Sequence, residues 1–190
     1  MYTNFKIYKP YGFLSQFITN QKTRRNKKLL GELHPFPEGT MSIGRLDEDS
    51  EGLLLLTSDG KLSAQITGSR VAKEYFVQVD GLITPEAVTL LESGVEIGIN
   101  GKKYLTKPCK AAILTEAPIF PPRSKPIRDD RHGPTSWISI ILTEGKFRQV
   151  KKMTAAVGFA TLRLVRVRIG NESLGNMQAG EVQEVGEFDL

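Results

Sequence analysis

The segment GRLDEDSEGLLLLTSDG, residues 44–60, places an acidic turn directly before an apolar run. The run Leu53 to Leu56, followed by the turn signal Asp59-Gly60, predicts a buried strand. Four carboxylates occupy the five positions 47–51, which we call the acidic turn, in a chain of formal net charge +5. A carboxylate at a strand end in a basic field can be kept ionised and serve as a nucleophile or a base.

Two other interpretations of the acidic turn are available. Its first residues resemble an EF-hand loop, but the twelfth position would be Ser58, where calcium requires a bidentate Glu, so calcium is rejected. A solvated turn explains Glu48, Asp49 and Glu51, which we expect to face solvent or to pair with nearby arginines. It explains Asp47 less well, because the segment 45–47 continues a strand toward the apolar run. The residues alone do not select a reaction.

The composition is that of a globular protein with 190 residues, of which 39% are hydrophobic and 25% charged. Its single cysteine, Cys109, excludes an internal disulfide and a multi-cysteine metal site. No apolar run approaches the ~20 residues of a membrane span, and the first residues lack the apolar core of a secretory signal. We therefore expect a cytoplasmic protein with no membrane partner.

The charge is unevenly distributed along the chain. Residues 171–190 carry five acids and no base, whereas no acid precedes Glu32. A second basic concentration covers residues 146–168. A field of this sign suits phosphate neutralisation in nucleic-acid binding, although a solubilising surface explains charge runs equally well. The basic residues before Glu32 are Lys6, Lys9, Lys22, Arg24, Arg25, Lys27 and Lys28.

Periodicity predicts more strands than helices, and regular helices do not separate the strands, which indicates an α+β class. The segment 117–135 holds five of the ten prolines and is expected to be a long ordered loop. In the segment 146–158, the apolar residues Phe147, Val150, Met153 and Val157 have helical spacing. The predicted strands are 5–8, 41–46, 53–57, 73–81, 136–145 and 161–170, and the predicted helices are 62–66, 84–93 and 146–158.

Several segments together resemble one family. GRLDEDSEGLLLLTSDG closely resembles the catalytic motif of the RsuA-type pseudouridine synthases, in which the Asp after Gly-Arg-Leu is essential. Further similar segments occur before and after it, in the order in which the family has them, and extend the resemblance over residues 6–170. These are YKPYGFLSQF (8–17), KEYFVQVDG (73–81), EGKFRQVKKMTAAVGF (144–159) and LRLVRVRIG (162–170).

The resemblance implies an enzyme that isomerises a specific uridine to pseudouridine without cofactor or metal, and we expect this uridine to lie in 23S ribosomal RNA. It assigns the essential carboxylate to Asp47, the Tyr that packs against the target base to Tyr75 and the basic partner of the Asp to Lys151. Leu164 takes the apolar position at the site. The expected RNA-binding residues are Arg24, Arg25, Lys27, Lys28, Arg45, Lys73, Lys146, Arg148, Lys152 and Arg166; for Arg45 and Arg166, pairing with the acidic turn is equally open.

The resemblance also implies an architecture, a single catalytic domain over residues 1–190. Its mixed, largely antiparallel sheet would form two lobes flanking a basic cleft, without the accessory N-terminal RNA-binding domain of many relatives. We expect a monomer. Lys146, Lys151 and Lys152 stand where many relatives have Arg, and Lys lacks the bidentate geometry of Arg. The competing interpretations are a non-catalytic RNA-binding or ribosome-assembly factor and, with weaker support, a metal-dependent nuclease.

Overall fold

The acidic turn and the apolar run fold as predicted into a turn followed by a fully buried strand. The structure is a computed structural model that describes residues 2–19 and 27–190. The strands are β1 (Asn4–Lys9), β2 (Met41–Ile43), β3 (Glu51–Thr57), β4 (Lys73–Asp80), β5 (Glu96–Ile99), β6 (Lys102–Leu105), β7 (Lys110–Leu114), β8 (Thr135–Leu142), β9 (Thr161–Ile169), β10 (Glu172–Ser173) and β11 (Val182–Val185). The helices are α1 (Gly60–Gly68), α2 (Pro85–Ser93) and α3 (Gln149–Ala156), with short 3-10 helices at Leu30–Glu32 and Asp130–His132.

The chain divides into two compact units. The first unit comprises Met1–Val71, Pro121–Lys125 and Arg166–Leu190. The second unit comprises Ala72–Phe120 and Pro126–Val165, so that β9 contributes residues to both.

In the first unit the strand order is β11-β1-β3-β9, and β2 pairs with β3. β1 runs antiparallel to β3 with Ile7 opposite Leu54, and all seven residues of β3 are buried. In a strand that is covered on both faces, apolar and polar residues need not alternate, which explains the continuous leucine run. Gly52 in β3 has φ +108°, and a Cβ there would lie within 3.0 Å of the Arg166 backbone, so only glycine permits this approach of β3 to β9.

In the second unit the strand order is β9-β4-β8-β7, and β5 and β6 form a separate antiparallel hairpin. β4 and β8 are antiparallel with Tyr75 opposite Ile140. The core of this unit combines strand residues such as Val77 and Ile138 with Leu91 of α2 and Met153 of α3. α3 is therefore anchored to the sheet by its apolar side.

The predicted α+β class with a mixed, largely antiparallel sheet is confirmed. The start of α2 is also confirmed, because the Thr84 side chain accepts from the Ala87 N–H as its N-cap. The predicted strand 41–46 is wrong beyond Ile43, because Gly44 takes φ +70° and ends it. The prediction that Phe147 lies on the apolar side of a helix is also wrong: Phe147 precedes α3 and is exposed. In the part of the chain described, no helix combines the length and apolarity needed to cross a bilayer.

Candidate functional site

The residue before Asp47 is fixed by a serine from the segment 8–17. The Ser15 hydroxyl accepts from the Leu46 N–H at 2.9 Å and donates to the Leu46 carbonyl at 2.8 Å. The turn then closes on itself, because the Ser50 N–H donates to the Asp47 carbonyl at 3.0 Å. Leu46 is buried and the Asp47 side chain is half-buried. The backbone thus presents the partly accessible carboxylate of Asp47 from a restrained turn.

The residue after Asp47 is held by a buried lysine. Lys9 is 0% exposed, and its ammonium donates to the carbonyls of Phe13 at 2.7 Å, Pro10 at 2.9 Å and Glu48 at 3.5 Å. The Glu48 carbonyl also accepts from the Gly12 N–H at 2.8 Å. A buried ammonium is costly unless it is hydrogen-bonded, and here those bonds hold the acidic turn to the segment 8–17. The backbone is therefore restrained on both sides of Asp47.

A buried arginine spans the two ends of the acidic turn. The Arg166 guanidinium is 2% exposed; its Nε donates to the Leu53 carbonyl at 2.8 Å and its Nη1 to the Arg45 carbonyl at 3.5 Å. Its Nη2 is buried without a hydrogen-bond partner among the described residues. Because this side chain is buried, contact with an RNA phosphate would require the guanidinium to become exposed. The Arg45 residue, in contrast, is exposed.

Glu51 does not face solvent, which was one of the two settings expected of it; the other was pairing with an arginine. It is 1% exposed, and the Tyr8 hydroxyl donates to its Oε1 at 3.5 Å. The reason is that Glu51 already belongs to β3, a strand that is buried along its whole length. Glu48 forms an ion pair with Lys27 at a partly exposed position, as expected of a surface acid, although its partner is a lysine.

In the second unit, Tyr75 and Leu164 belong to the same apolar cluster. Leu164 of β9 is buried in this core, and the half-buried Tyr75 of β4 packs against it. Lys73, half-buried, begins the same strand. Tyr75 lies opposite Ile140 in the β4–β8 pairing, and its partial exposure leaves part of the residue available to a ligand.

α3 positions Lys151. The buried neighbours Val150, Met153 and Thr154 fix the helix, and Lys151 is half-buried between them. The helix begins after Arg148, which has φ +52° and ψ +33°, a left-handed conformation that is uncommon outside glycine and is often found at functional sites. The Gln149 side chain accepts from the Lys146 N–H at 2.9 Å and so shapes the turn before the helix.

The remaining basic residues lie in different settings. Lys28 is exposed, with its Nζ 5.5 Å from the Phe13 ring centroid. Lys146 is exposed, and Lys152 donates to the Gly98 carbonyl at 2.7 Å. Arg24 and Arg25 lie outside the described residues.

The structure adds two residues that the sequence did not assign to the site. Lys9 was counted as part of the basic field, although its position in the segment 8–17 already matched a family motif. Ser15 carried no signal. Within residues 2–19 and 27–190 there is no group of three or more His, Cys, Asp or Glu side chains arranged to hold a metal ion.

Comparison with known proteins gives consistent likenesses. A family model described as RNA pseudouridylate synthase matches residues 5–156. The chain is 41% identical over 179 residues to ribosomal large subunit pseudouridine synthase E of Vibrio parahaemolyticus, covering 93% of this chain and 71% of the relative. It is 43% identical over 175 residues to the Xanthomonas campestris protein of the same name, covering 91% and 90%. The segment PPRSKPIRDDRHGPTSW (121–137) by itself predicts a likeness to this particular synthase, and the match over most of the chain confirms it.

Solved structures show the same likeness. A crystal structure of a pseudouridylate synthase matches with a TM-score of 0.76 and 27% identity, covering 98% of this chain and 71% of that one. Human RNA pseudouridylate synthase domain containing 1 matches with a TM-score of 0.54 and 14% identity, covering 98% and 80%, which shows a shared fold.

Proposed function

The chain belongs to the RNA pseudouridylate synthase family, and from that premise we propose that it isomerises one uridine of large-subunit ribosomal RNA, with Asp47 as the essential carboxylate. It is an isomerase by its family membership. The observation that carries the assignment to Asp47 is its turn, whose backbone is held at Leu46 by Ser15 and at Glu48 by Lys9. Relatives 41–44% identical over most of the chain bear the name of a large-subunit synthase, which supports the RNA target.

The reaction sets what the site must provide. The N1–C1′ bond of uridine breaks, the base turns and C5 becomes bonded to C1′, while the C5 proton is lost and N1 is protonated. Nothing else is consumed. A uridine within folded RNA must first leave its stack, at a cost of about a few kcal/mol. Asp47 must be ionised whether it attacks the sugar, attacks the base or removes a proton, and a rigid turn keeps it in position without an entropic cost at each turnover.

Three residues of the second unit complete the assignment. The half-exposed ring of Tyr75 stacks on the uracil, and its hydroxyl assists proton transfer at C5. Lys151 has the role that the family gives to the basic partner of its Asp. Leu164 belongs to the core cluster against which Tyr75 packs. These roles rest on the family motifs and on the burial of each side chain.

RNA is held by phosphate neutralisation from Arg24, Arg25, Lys27, Lys28, Arg45, Lys73, Lys146, Arg148 and Lys152. Arg166 is not assigned to RNA binding, because its buried guanidinium donates to the Arg45 and Leu53 carbonyls, which flank the acidic turn. We assign Arg166 to positioning this turn. We also propose that the enzyme acts as a monomer in the cytoplasm.

The test is a pseudouridine map of ribosomal RNA from cells with and without the gene. One site in large-subunit RNA is expected to lose its pseudouridine, to regain it with the wild-type gene and to stay unmodified with Asp47→Asn. A map that does not change on loss of the gene would instead favour a non-catalytic RNA-binding or assembly factor. Activity that survives excess EDTA would dispose of a metal-dependent mechanism.

A further inference from the structure

Phe147 is a large aromatic side chain displayed to solvent in the segment 143–148 between β8 and α3, where it is 67% exposed. We propose that its ring is a stacking platform for one unpaired nucleotide of the RNA substrate, with Lys146 and Lys152 binding the adjoining phosphates. This inference rests on the proposed function and deepens it, because it names a subsite outside the target uridine.

Two ammonium groups flank aromatic rings at this surface. The Lys152 Nζ lies 5.1 Å from the centroid of the Phe147 ring and 2.7 Å from the Gly98 carbonyl that it binds. The Lys146 Nζ lies 5.0 Å from the Tyr104 ring centroid. Proteins that bind single-stranded nucleic acid combine aromatic faces for the bases with cations for the backbone, and these four side chains supply both.

The segment that carries Phe147 is tied to the β5–β6 hairpin by one carboxylate. Glu144 accepts from the Tyr104 hydroxyl, from the Lys107 N–H at 2.8 Å and from the Gln149 side-chain amide at 2.7 Å. Burial raises the pKa of Glu144, but these hydrogen bonds and the charge of Lys107 outweigh it, and the pKa lies below its ordinary value. Glu144 is therefore ionised at neutral pH, and Phe147 is displayed from a restrained backbone. Such a platform loses little conformational entropy when it binds.

The charge around Phe147 favours a polyanion. Lys102 and Lys103 of β6 lie opposite Ile99 and Gly98, the latter being the residue bound by Lys152. Of the acids nearby, Glu96 pairs with Lys103 at 2.9 Å and Glu144 is engaged as described. A solvent-exposed phenyl ring amid lysines matches a nucleotide, whose base is aromatic and whose phosphate is anionic.

The experiment measures the affinity of the full chain for two probes, a single-stranded oligouridylate and a transcript of large-subunit ribosomal RNA. Phe147→Ala is expected to weaken binding of both about five- to tenfold, at the lower end of the range for one stacked base, and Phe147→Trp to restore it. Leu90→Ala on α2, which removes an apolar side chain 55% exposed, is the matched control and should bind as the wild type does. RNA should quench the fluorescence of the indole that Phe147→Trp introduces. The native Trp137, in contrast, is buried.

The lysines are tested by salt dependence. Lys146→Gln and Lys152→Gln should each reduce the slope of log affinity against log salt by about 0.7, while Phe147→Ala should leave the slope unchanged. The control is Lys61→Gln, at an exposed position of α1. Wild-type protein that binds neither probe and modifies no uridine would refute the proposed function. An active wild type with unaltered binding by Phe147→Ala would refute the stacking subsite alone, and would leave this surface to a protein partner.

Discussion

At the scale of single residues, the chemistry depends on Asp47 and on little else in the acidic turn. Asp47→Asn is nearly isosteric, so the hydrogen bonds to its backbone should persist and the protein should remain folded. It removes the charge required for nucleophilic or basic catalysis, and turnover should fall below detection. RNA affinity should persist or rise slightly, because one negative charge is lost from an RNA-binding surface.

The neighbouring acids are the controls for that substitution. Glu48→Gln and Asp49→Asn should retain most activity, measured as pseudouridine formed per enzyme on the same RNA. Glu51 is not an equivalent control, since it is buried in β3. An active Asp47→Asn enzyme, or a folded but inactive Glu48→Gln enzyme, would show that the wrong carboxylate has been assigned.

Tyr75→Phe separates stacking from proton transfer. The ring and its packing against the core are kept, so RNA binding should be normal. If the hydroxyl moves the C5 proton, the rate constant measured under single-turnover conditions should fall by about 10²-fold or more, within the range of general acid–base catalysis. Turnover equal to that of the wild type would reduce the role of Tyr75 to stacking.

Replacing Lys9 tests whether its buried ammonium stabilises the acidic turn. Lys9→Met fills similar space but removes the ammonium that donates to the Pro10, Phe13 and Glu48 carbonyls, and of these the Glu48 carbonyl keeps the Gly12 N–H. The free energy of unfolding should fall by about 2–5 kcal/mol, and activity should fall in the fraction that remains folded. Lys6→Met, on the same strand, removes one ion pair with Glu172 and should cost about 1 kcal/mol in denaturant unfolding. Equal losses for the two variants would contradict a special role for Lys9.

These residues also show what a sequence can and cannot predict at this scale. Asp47 and Tyr75 were assigned because a motif specifies them whatever surrounds them, although their roles remain predictions. Lys9 and Glu51 have charges that normally indicate a surface, and their burial follows only from the pairing of β1 with β3. Ser15 contacts Leu46 from a distant segment, so no local pattern could have identified it.

At the scale of elements, the β5–β6 hairpin depends on Glu144. The pKa of Glu144 is lower in the folded chain than its ordinary value of 4.5, so its contribution to stability is present above about pH 4.5 and is lost as the pH falls through the lower folded value. Wild type and Glu144→Gln should therefore differ in thermal midpoint at neutral pH and converge in acid. Hydrogen exchange in residues 96–105 should be faster in the variant at neutral pH. A difference in thermal midpoint that is constant with pH would exclude an ionised Glu144 as the cause.

The predicted elements were those with long, distinctive patterns. α2 was identified by its Thr-Pro-Glu start, and β4 and β9 by alternation over eight or nine residues. β5 and β6 are only four residues each and were missed, although Asn100-Gly101, both with positive φ, is a typical hairpin turn. Phe147 was misplaced because its spacing fits a helix, whereas the left-handed Arg148 is the N-cap, so that the helix begins at Gln149 and not at residue 146.

At the scale of the whole molecule, periodicity predicted the α+β class and the ordered motifs predicted the family, but neither predicted which residues make up each unit. The first unit recruits residues 121–125 and 166–190 from distant parts of the chain, and such recruitment is decided by packing. Packing also decides the setting of the acids in residues 171–190. Glu172 accepts from Lys6 at 3.1 Å and from the Asp189 N–H at 3.0 Å, so part of this acidity is bound within the first unit.

The net charge makes a prediction for the molecule as a whole. Replacing Arg24, Arg25, Lys27 and Lys28 by Ala removes four positive charges from an acid-free stretch, and it should weaken binding of ribosomal RNA and flatten its salt dependence. The contributions should be unequal, since Lys27 already pairs with Glu48 while Lys28 is exposed. Lys27→Ala alone should therefore change the slope of log affinity against log salt less than Lys28→Ala, because Lys27 must exchange one anion for another to reach RNA. Titrations from low to moderate salt measure both slopes. A slope that stays the same in the fourfold variant would show that this stretch does not contact phosphate, and the phosphate contacts would then have to come from the other basic residues proposed, including Lys146 and Lys152.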